Sequence, residues 1–232
     1  MAKGTSPNQL GIFESNFAPS SGTRDDRPKL QKPPRLTTIF SVSCSMGMKE
    51  FFGLMRRSGV GLVVDLRIGR MYPRAFWANE RDMLYACHLH GVGYRPVDDL
   101  MPTQALRTEL HKVIDNDRLK RAEHAEAWTR YLEQVAKLLA ERKFLASGRP
   151  VHDLIYGEHE RIAMVCKCHH HRDCHRSVVT AMIERFVEGI SVVELYPEGK
   201  PPKREVPKVL LRDVGSLLKD DDKRIGRALR GA

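Results

Sequence analysis

No apolar run in this 232-residue chain approaches the roughly 20 residues that would span a bilayer, so no membrane helix is expected. The first 21 residues are polar and lack the hydrophobic core of a secretory signal, which leaves cytoplasmic residence as the expectation. Cysteine is scarce. The five residues are odd in number and lack the spacing of a disulfide framework, as suits a reducing compartment. Aromatic residues make up only 7% of the chain, and there is no internal repeat. These absences leave a water-exposed globular protein of one good-sized domain or two small ones, with 41% apolar residues from which to build a core.

What is abundant is positive charge. Lys and Arg total 39 against 29 Asp and Glu, a formal net charge of +10. Such a balance favours an anionic partner, nucleic acid or a nucleotide, although a basic soluble surface has the same signature. Residues 1–36 hold five prolines and few large apolar side chains, and read as a flexible arm with a basic end. Residues 198–232 carry ten Lys and Arg against six Asp and Glu and read as a basic tail, with a helix-like stretch at 209–218.

Between the arms, hydrophobic patterning alternates. Residues 37–43, 62–67, 94–97, 161–166 and 191–196 are β-branched or continuously apolar and predict strands. Helical spacing predicts helices over 49–57, 79–90, 103–116, from about 123 through the 130s, and 175–188, with Gly59 and Gly91 as C-terminal punctuation. Trp128, Tyr131, Leu132, Val135, Leu138 and Leu139 lie at core-facing intervals. Strands alternating with helices predict an α/β fold. It has three layers, with a mostly parallel sheet of about five strands and helices on both faces, as in Rossmann-like domains.

Chemistry concentrates in ten residues, 166–175. Seven of them are Cys or His: Cys166, Cys168, His169, His170, His171, Cys174 and His175. They follow a predicted strand and precede a predicted helix, the position at which open α/β sheets bind ligands. Cys166, Cys168, Cys174 and His175 have the thiolate and imidazole groups that tetrahedral zinc prefers, with His169, His170 and His171 as further candidate ligands. The spacing lacks the paired knuckles of ordinary zinc modules. Cys166 and Arg172 also match the bare spacing of a phosphatase or sulfurtransferase loop. Three consecutive histidines, however, replace the small residues such a loop needs. A third reading makes the thiols core residues and the His run a solvated loop.

Several of these residues together resemble a known family. The helix with Glu50-Phe51-Phe52, the run Val63-Val64-Asp65-Leu66-Arg67, Phe76 with Asn79, Gly91-Val92-Gly93-Tyr94, and a strand-borne Cys166 followed by Cys174-His175-Arg176-Ser177 are similar to the domain-of-unknown-function family 488, over roughly residues 37–197. The resemblance implies an α/β fold and a site at Cys166, Cys174, His175 and Arg176. Family members usually carry Gly-His-Ser where this chain has Ser43-Cys44-Ser45, and an acidic residue where it has Lys167-Cys168 and the His run.

Three functions follow from this reading. The first is an enzyme acting on a phosphate-bearing substrate, nucleic acid or a nucleotide, by base or glycosidic-bond modification or excision. Asp65, Cys166 and His175 would carry the chemistry. Arg67, Arg70, Arg74, Arg176 and Ser177, with Cys44 and Asn79, would hold the substrate and its phosphate. The second is a non-catalytic nucleic-acid-binding module clamped by zinc at Cys166, Cys168, Cys174 and His175. The third is a thiol-based sulfur or redox enzyme pairing Cys44 with Cys166.

Overall fold

The computed structural model describes residues 37–197, apart from 117, 119, 147, 169, 170, 172 and 188. The expected arms at 1–36 and 198–232 lie outside the described residues. So does the helix-like stretch at 209–218.

Five strands form one sheet: β1 (Thr37–Ser43), β2 (Leu62–Asp65), β3 (Gly93–Pro96), β4 (Arg161–Cys166) and β5 (Ile190–Leu195). Every pairing is parallel and the order across the sheet is β3-β2-β4-β1-β5. Six helices connect the strands: α1 (Met48–Arg57), α2 (Glu80–Leu89), α3 (Gln104–Ile114), α4 (Arg121–Glu141), α5 (Pro150–Tyr156) and α6 (His175–Phe186). The expected three-layer α/β architecture is what the chain adopts.

Strand alternation divides the core in two. Ile39, Leu62, Val64, Ile162 and Met164 face a layer containing Leu110, Leu132, Val135, Leu139, Leu154 and Val179 from α3 to α6. Phe40, Val42, Val63, Ala163 and Val165 face Phe51, Phe52, Met55, Met83 and Cys87 from α1 and α2. The central strands are buried on both faces, which explains their continuous apolar runs. The aromatics of α4 belong to the first layer, as their spacing requires. No helix among the described residues is long and apolar enough to cross a membrane.

Two local departures from the expected pattern have simple causes. The second strand stops at Asp65 rather than at residue 67, because the Asp65 carboxylate folds back onto the Arg67 backbone N–H at 3.0 Å. The short helix α5 lies in a stretch to which sequence patterning assigns no element. Pro150 occupies the first turn, where its missing N–H costs nothing. Thr103 caps α3 by accepting the Leu106 N–H at 3.2 Å.

Topology places the chemistry. The connection from β2 runs outward to β3, while that from β4 runs the other way to β5, which makes the carboxyl ends of these neighbouring strands the topological switch point at which such sheets place their sites. Arg67, Cys166 and the start of α6 all arrive there.

Gly157 terminates α5 where a Cβ would stand 2.4 Å from the Asp153 carbonyl oxygen. Gly157→Ala is therefore expected to lower the unfolding free energy by about 1–3 kcal/mol, measured by urea denaturation. An unchanged midpoint would show that the helix end yields without cost.

Candidate metal centre at the carboxyl edge of the sheet

Cys166 is the last residue of β4, and its carbonyl accepts the Cys44 N–H at 2.9 Å, so the ends of β1 and β4 are locked together. Eight residues later Cys174 occupies the N-cap of α6. Its N–H donates to the His171 carbonyl at 3.1 Å, and its own carbonyl accepts both the Ser177 N–H and the Ser177 hydroxyl at 2.8 Å. Ser177 thus acts on the helix start. The turn brings Cys166, Cys174 and His175 together, all buried, with ligand atoms within 4.8 Å of one another. Cys168 Sγ lies 3.7 Å from Cys166 Sγ and is half-exposed. Two thiolates on one tetrahedral zinc at about 2.3 Å are separated by about 3.8 Å, so this spacing suits a shared ion.

The imidazole of His175 has a fixed tautomer. Nε2 lies 2.8 Å from the Leu66 carbonyl oxygen, which can only accept, so Nε2 carries a proton and, in the neutral ring, Nδ1 keeps its lone pair. A backbone carbonyl holding the far nitrogen is the usual support of a metal-ligating histidine.

The thiols do not titrate alike. Hydrogen bonds from Cys168 and Cys174 hold Cys166 well below the usual thiol range, against the effect of burial, with further help from the Arg176 guanidinium. Cys168 is pushed up to about 12, chiefly by its hydrogen bond to Cys166. Cys174 is pushed well up, first by burial and then by its two thiol neighbours.

Arg176 lies behind the sulfurs with only 2% of its surface exposed. Its Nη1 donates to the carbonyls of Val42 at 2.9 Å and Cys166 at 3.3 Å, and its Nη2 to that of Cys168 at 3.5 Å. Its Nε is buried without a hydrogen-bond partner, and no carboxylate among the described residues pairs with it. The negative charge nearest to it is that of the thiols. A buried guanidinium held by carbonyls and without a carboxylate favours the anionic form of the sulfurs beside it.

The other anticipated site residues are employed differently. Asp65 and Arg67 are fully buried and bidentate, with Nε–Oδ1 at 2.9 Å and Nη2–Oδ2 at 2.6 Å. The Tyr94 hydroxyl donates to Asp65 Oδ2 at 2.6 Å, and Arg67 Nη1 donates to the Ala78 carbonyl and approaches Cys44 Sγ at 3.6 Å. Burial pushes the Cys44 thiol up to about 12. Arg70 is turned to Asp98 and Glu80. Asn79 accepts the Tyr72 N–H at 2.7 Å and so braces the loop after β2. Arg74 is exposed on that loop.

His171 gave no sign in the sequence of its surroundings. It is only 5% exposed, Nδ1 is 2.7 Å from the Ser41 hydroxyl, and Nε2 is 3.2 Å from Glu194 Oε1. It pins the Cys/His loop to β1 and β5 instead of joining the sulfur cluster. Ser41 and Glu194 were missed because each occupies an ordinary alternating position in its strand. Only the sheet order makes them neighbours.

A parallel α/β domain with a thiol and imidazole centre at the carboxyl edge of its sheet is thus defined. Residues 47–183 match the family model described as "Domain of unknown function DUF488", and the chain belongs to that family. No curated protein and no solved structure matches the chain.

Two outcomes follow. Asp65→Asn leaves the Arg67 guanidinium buried without its counter-ion and should cost about 3–5 kcal/mol of stability in urea denaturation, with Tyr94→Phe costing less. Cys44 is neutral in the folded state up to about pH 12 but ionises near its ordinary value of 9.0 once unfolded. The unfolded chain therefore releases its proton first. Stability is fully present below about pH 9 and falls from there toward pH 12, and Cys44→Ala should make that alkaline decline shallower. An identical slope in the variant would remove Cys44 as a contributor.

Proposed function

We propose that this protein is a zinc-clamped nucleic-acid-binding module, in which Cys166, Cys168, Cys174 and His175 hold one zinc ion and the basic segments at either end of the chain grip phosphate. The cluster of Cys166, Cys174 and His175, with Cys168 Sγ 3.7 Å from Cys166 Sγ as the fourth donor within reach, carries the zinc assignment. Four protein donors fill a tetrahedral shell, as in structural rather than catalytic zinc sites. Charge supports the same composition. Zinc with three thiolates and a neutral imidazole has a net charge of about −1, which the buried Arg176 offsets.

The nucleic-acid part of the proposal rests on where the positive charge is found. Residues 37–197 are close to balanced, with 23 Lys and Arg against 20 Asp and Glu, whereas the flanking segments carry the rest of the +10. Non-specific phosphate contacts need Lys and Arg more than a shaped pocket. A catalytic role for Asp65 and His175 on a phosphate-bearing substrate has less support. Arg67 and Tyr94 engage both Asp65 oxygens, and the Leu66 carbonyl engages His175 Nε2.

The depressed Cys166 thiol beside Cys168 favours one other reading, a thiol-based sulfur or redox enzyme. Metal analysis separates the two. Protein purified without an affinity tag should contain one zinc per chain and lose it in Cys174→Ser. Adding zinc to metal-free protein at neutral pH should release about two protons, those of Cys168 and Cys174. A metal-free preparation that oxidises reversibly to a Cys166–Cys168 disulfide would favour the redox reading. Affinity for nucleic acid should fall steeply with salt, and removal of 1–36 and 198–232 should flatten that dependence. An unchanged slope would show that the segments are not the grips.

A further inference from the structure

The sulfurs of the cluster are not equally accessible. Cys166 is 3% exposed and Cys174 is 1% exposed, whereas Cys168 is half-exposed. Cys44 and Cys87 are buried too, so Cys168 is the cysteine that a solute can reach without local opening. Its sulfur also has a second sulfur in place, since Cys166 Sγ lies 3.7 Å away. A disulfide needs about 2.05 Å, so the two must close by about 1.7 Å.

The backbone decides which of the two moves. Cys166 ends β4, and its carbonyl accepts both the Cys44 N–H at 2.9 Å and Arg176 Nη1 at 3.3 Å. Cys168 lies two residues beyond the strand. Its carbonyl accepts Arg176 Nη2 at 3.5 Å, the longest of the three carbonyl contacts of that guanidinium. The exposed sulfur is therefore on the looser side of the pair and the buried one on the fixed side.

We propose that Cys168 is an oxidation site for hydroperoxides, through which the cluster releases its zinc ion. The proposal gives the zinc clamp above its regulation and rests on that assignment. A zinc-bound thiol is already deprotonated, which is the reactive form. The Cys168 sulfur attacks the outer oxygen of the hydroperoxide. The O–O bond breaks, the sulfur becomes a sulfenic acid, and the remaining oxygen takes a proton and leaves as an alcohol, or as water from hydrogen peroxide. Cys166 then attacks the Cys168 sulfur. The S–S bond forms, the S–O bond breaks, and that oxygen takes a proton and leaves as water. The two sulfurs together lose two electrons, and the peroxide gains them. Cys174 and His175 remain as half of a tetrahedral shell, too few donors to retain the ion. A thiol reductant cleaves the disulfide and restores the site. The resting state is thus the reduced, zinc-bound one, unlike that of a thiol enzyme.

The test uses full-length, zinc-loaded protein, freed of reductant and mixed with hydrogen peroxide and a chromogenic zinc chelator. Wild type should release about one zinc per chain. Peptide mass mapping should find a Cys166–Cys168 disulfide, and reductant with added zinc should restore the starting zinc content. Cys168→His keeps a zinc-ligating group and removes the reacting sulfur, so its bound zinc should be released at least about tenfold more slowly. Zinc that stays bound in wild type under peroxide overturns the switch and leaves the clamp standing. So does zinc released with a Cys168–Cys174 disulfide, or as fast from Cys168→His as from wild type. A wild-type chain that binds no zinc removes the clamp and the switch together.

Discussion

The guanidinium of Arg176 is the interaction on which the site depends. From the first turn of α6 it reaches back to carbonyls at the end of β1, the end of β4 and the loop between. Its burial without a carboxylate fixes the electrostatics of the region, because a cation in such a place must face an anionic neighbour. The sulfur cluster is that neighbour. The Cys166 thiol is depressed chiefly by its hydrogen bonds with Cys168 and Cys174, with Arg176 adding to the effect, and a divalent ion bound by the thiols would complete the arrangement with near-zero net charge.

A second buried cation has a different solution. Arg67 is satisfied within its own strand end by Asp65, and Tyr94 completes the carboxylate's shell. The pair braces the loop after β2 through the Ala78 carbonyl. Two arginines side by side at the same sheet edge therefore do separate work. One closes a local ion pair that shapes a loop, and the other leaves its charge for the sulfur centre. Sequence patterning cannot separate these roles, since it does not show which acidic or thiol group each arginine meets across the sheet edge.

Much of the architecture was legible from hydrophobic spacing. All five strands, the helices around Phe51, Met83, Leu110, Leu139 and Val179, and the parallel arrangement follow from periodicity. The two-faced core accounts for the near-continuous apolar strands. The ligand cluster was legible because its residues are contiguous in the chain. The contacts that span the sheet were not. Ser41, His171 and Glu194 are 130 and 23 residues apart along the chain and meet only because β1 is inserted between β4 and β5. The pairing of Tyr94 with Asp65 likewise depends on β3 lying beside β2.

The interior position of α6 has a consequence for how the chain can vary. Its first nine residues, His175 to Ile183, are all buried, so the helix has no solvent-facing stripe over two and a half turns. An ordinary amphipathic helix accepts polar exchanges at about half its positions and drifts freely there. Here each exchange alters volume or hydrogen bonding in an already filled interior. Mutational tolerance should therefore be concentrated in α2 and α3, which expose one face, while α6 behaves in substitution as a buried strand does.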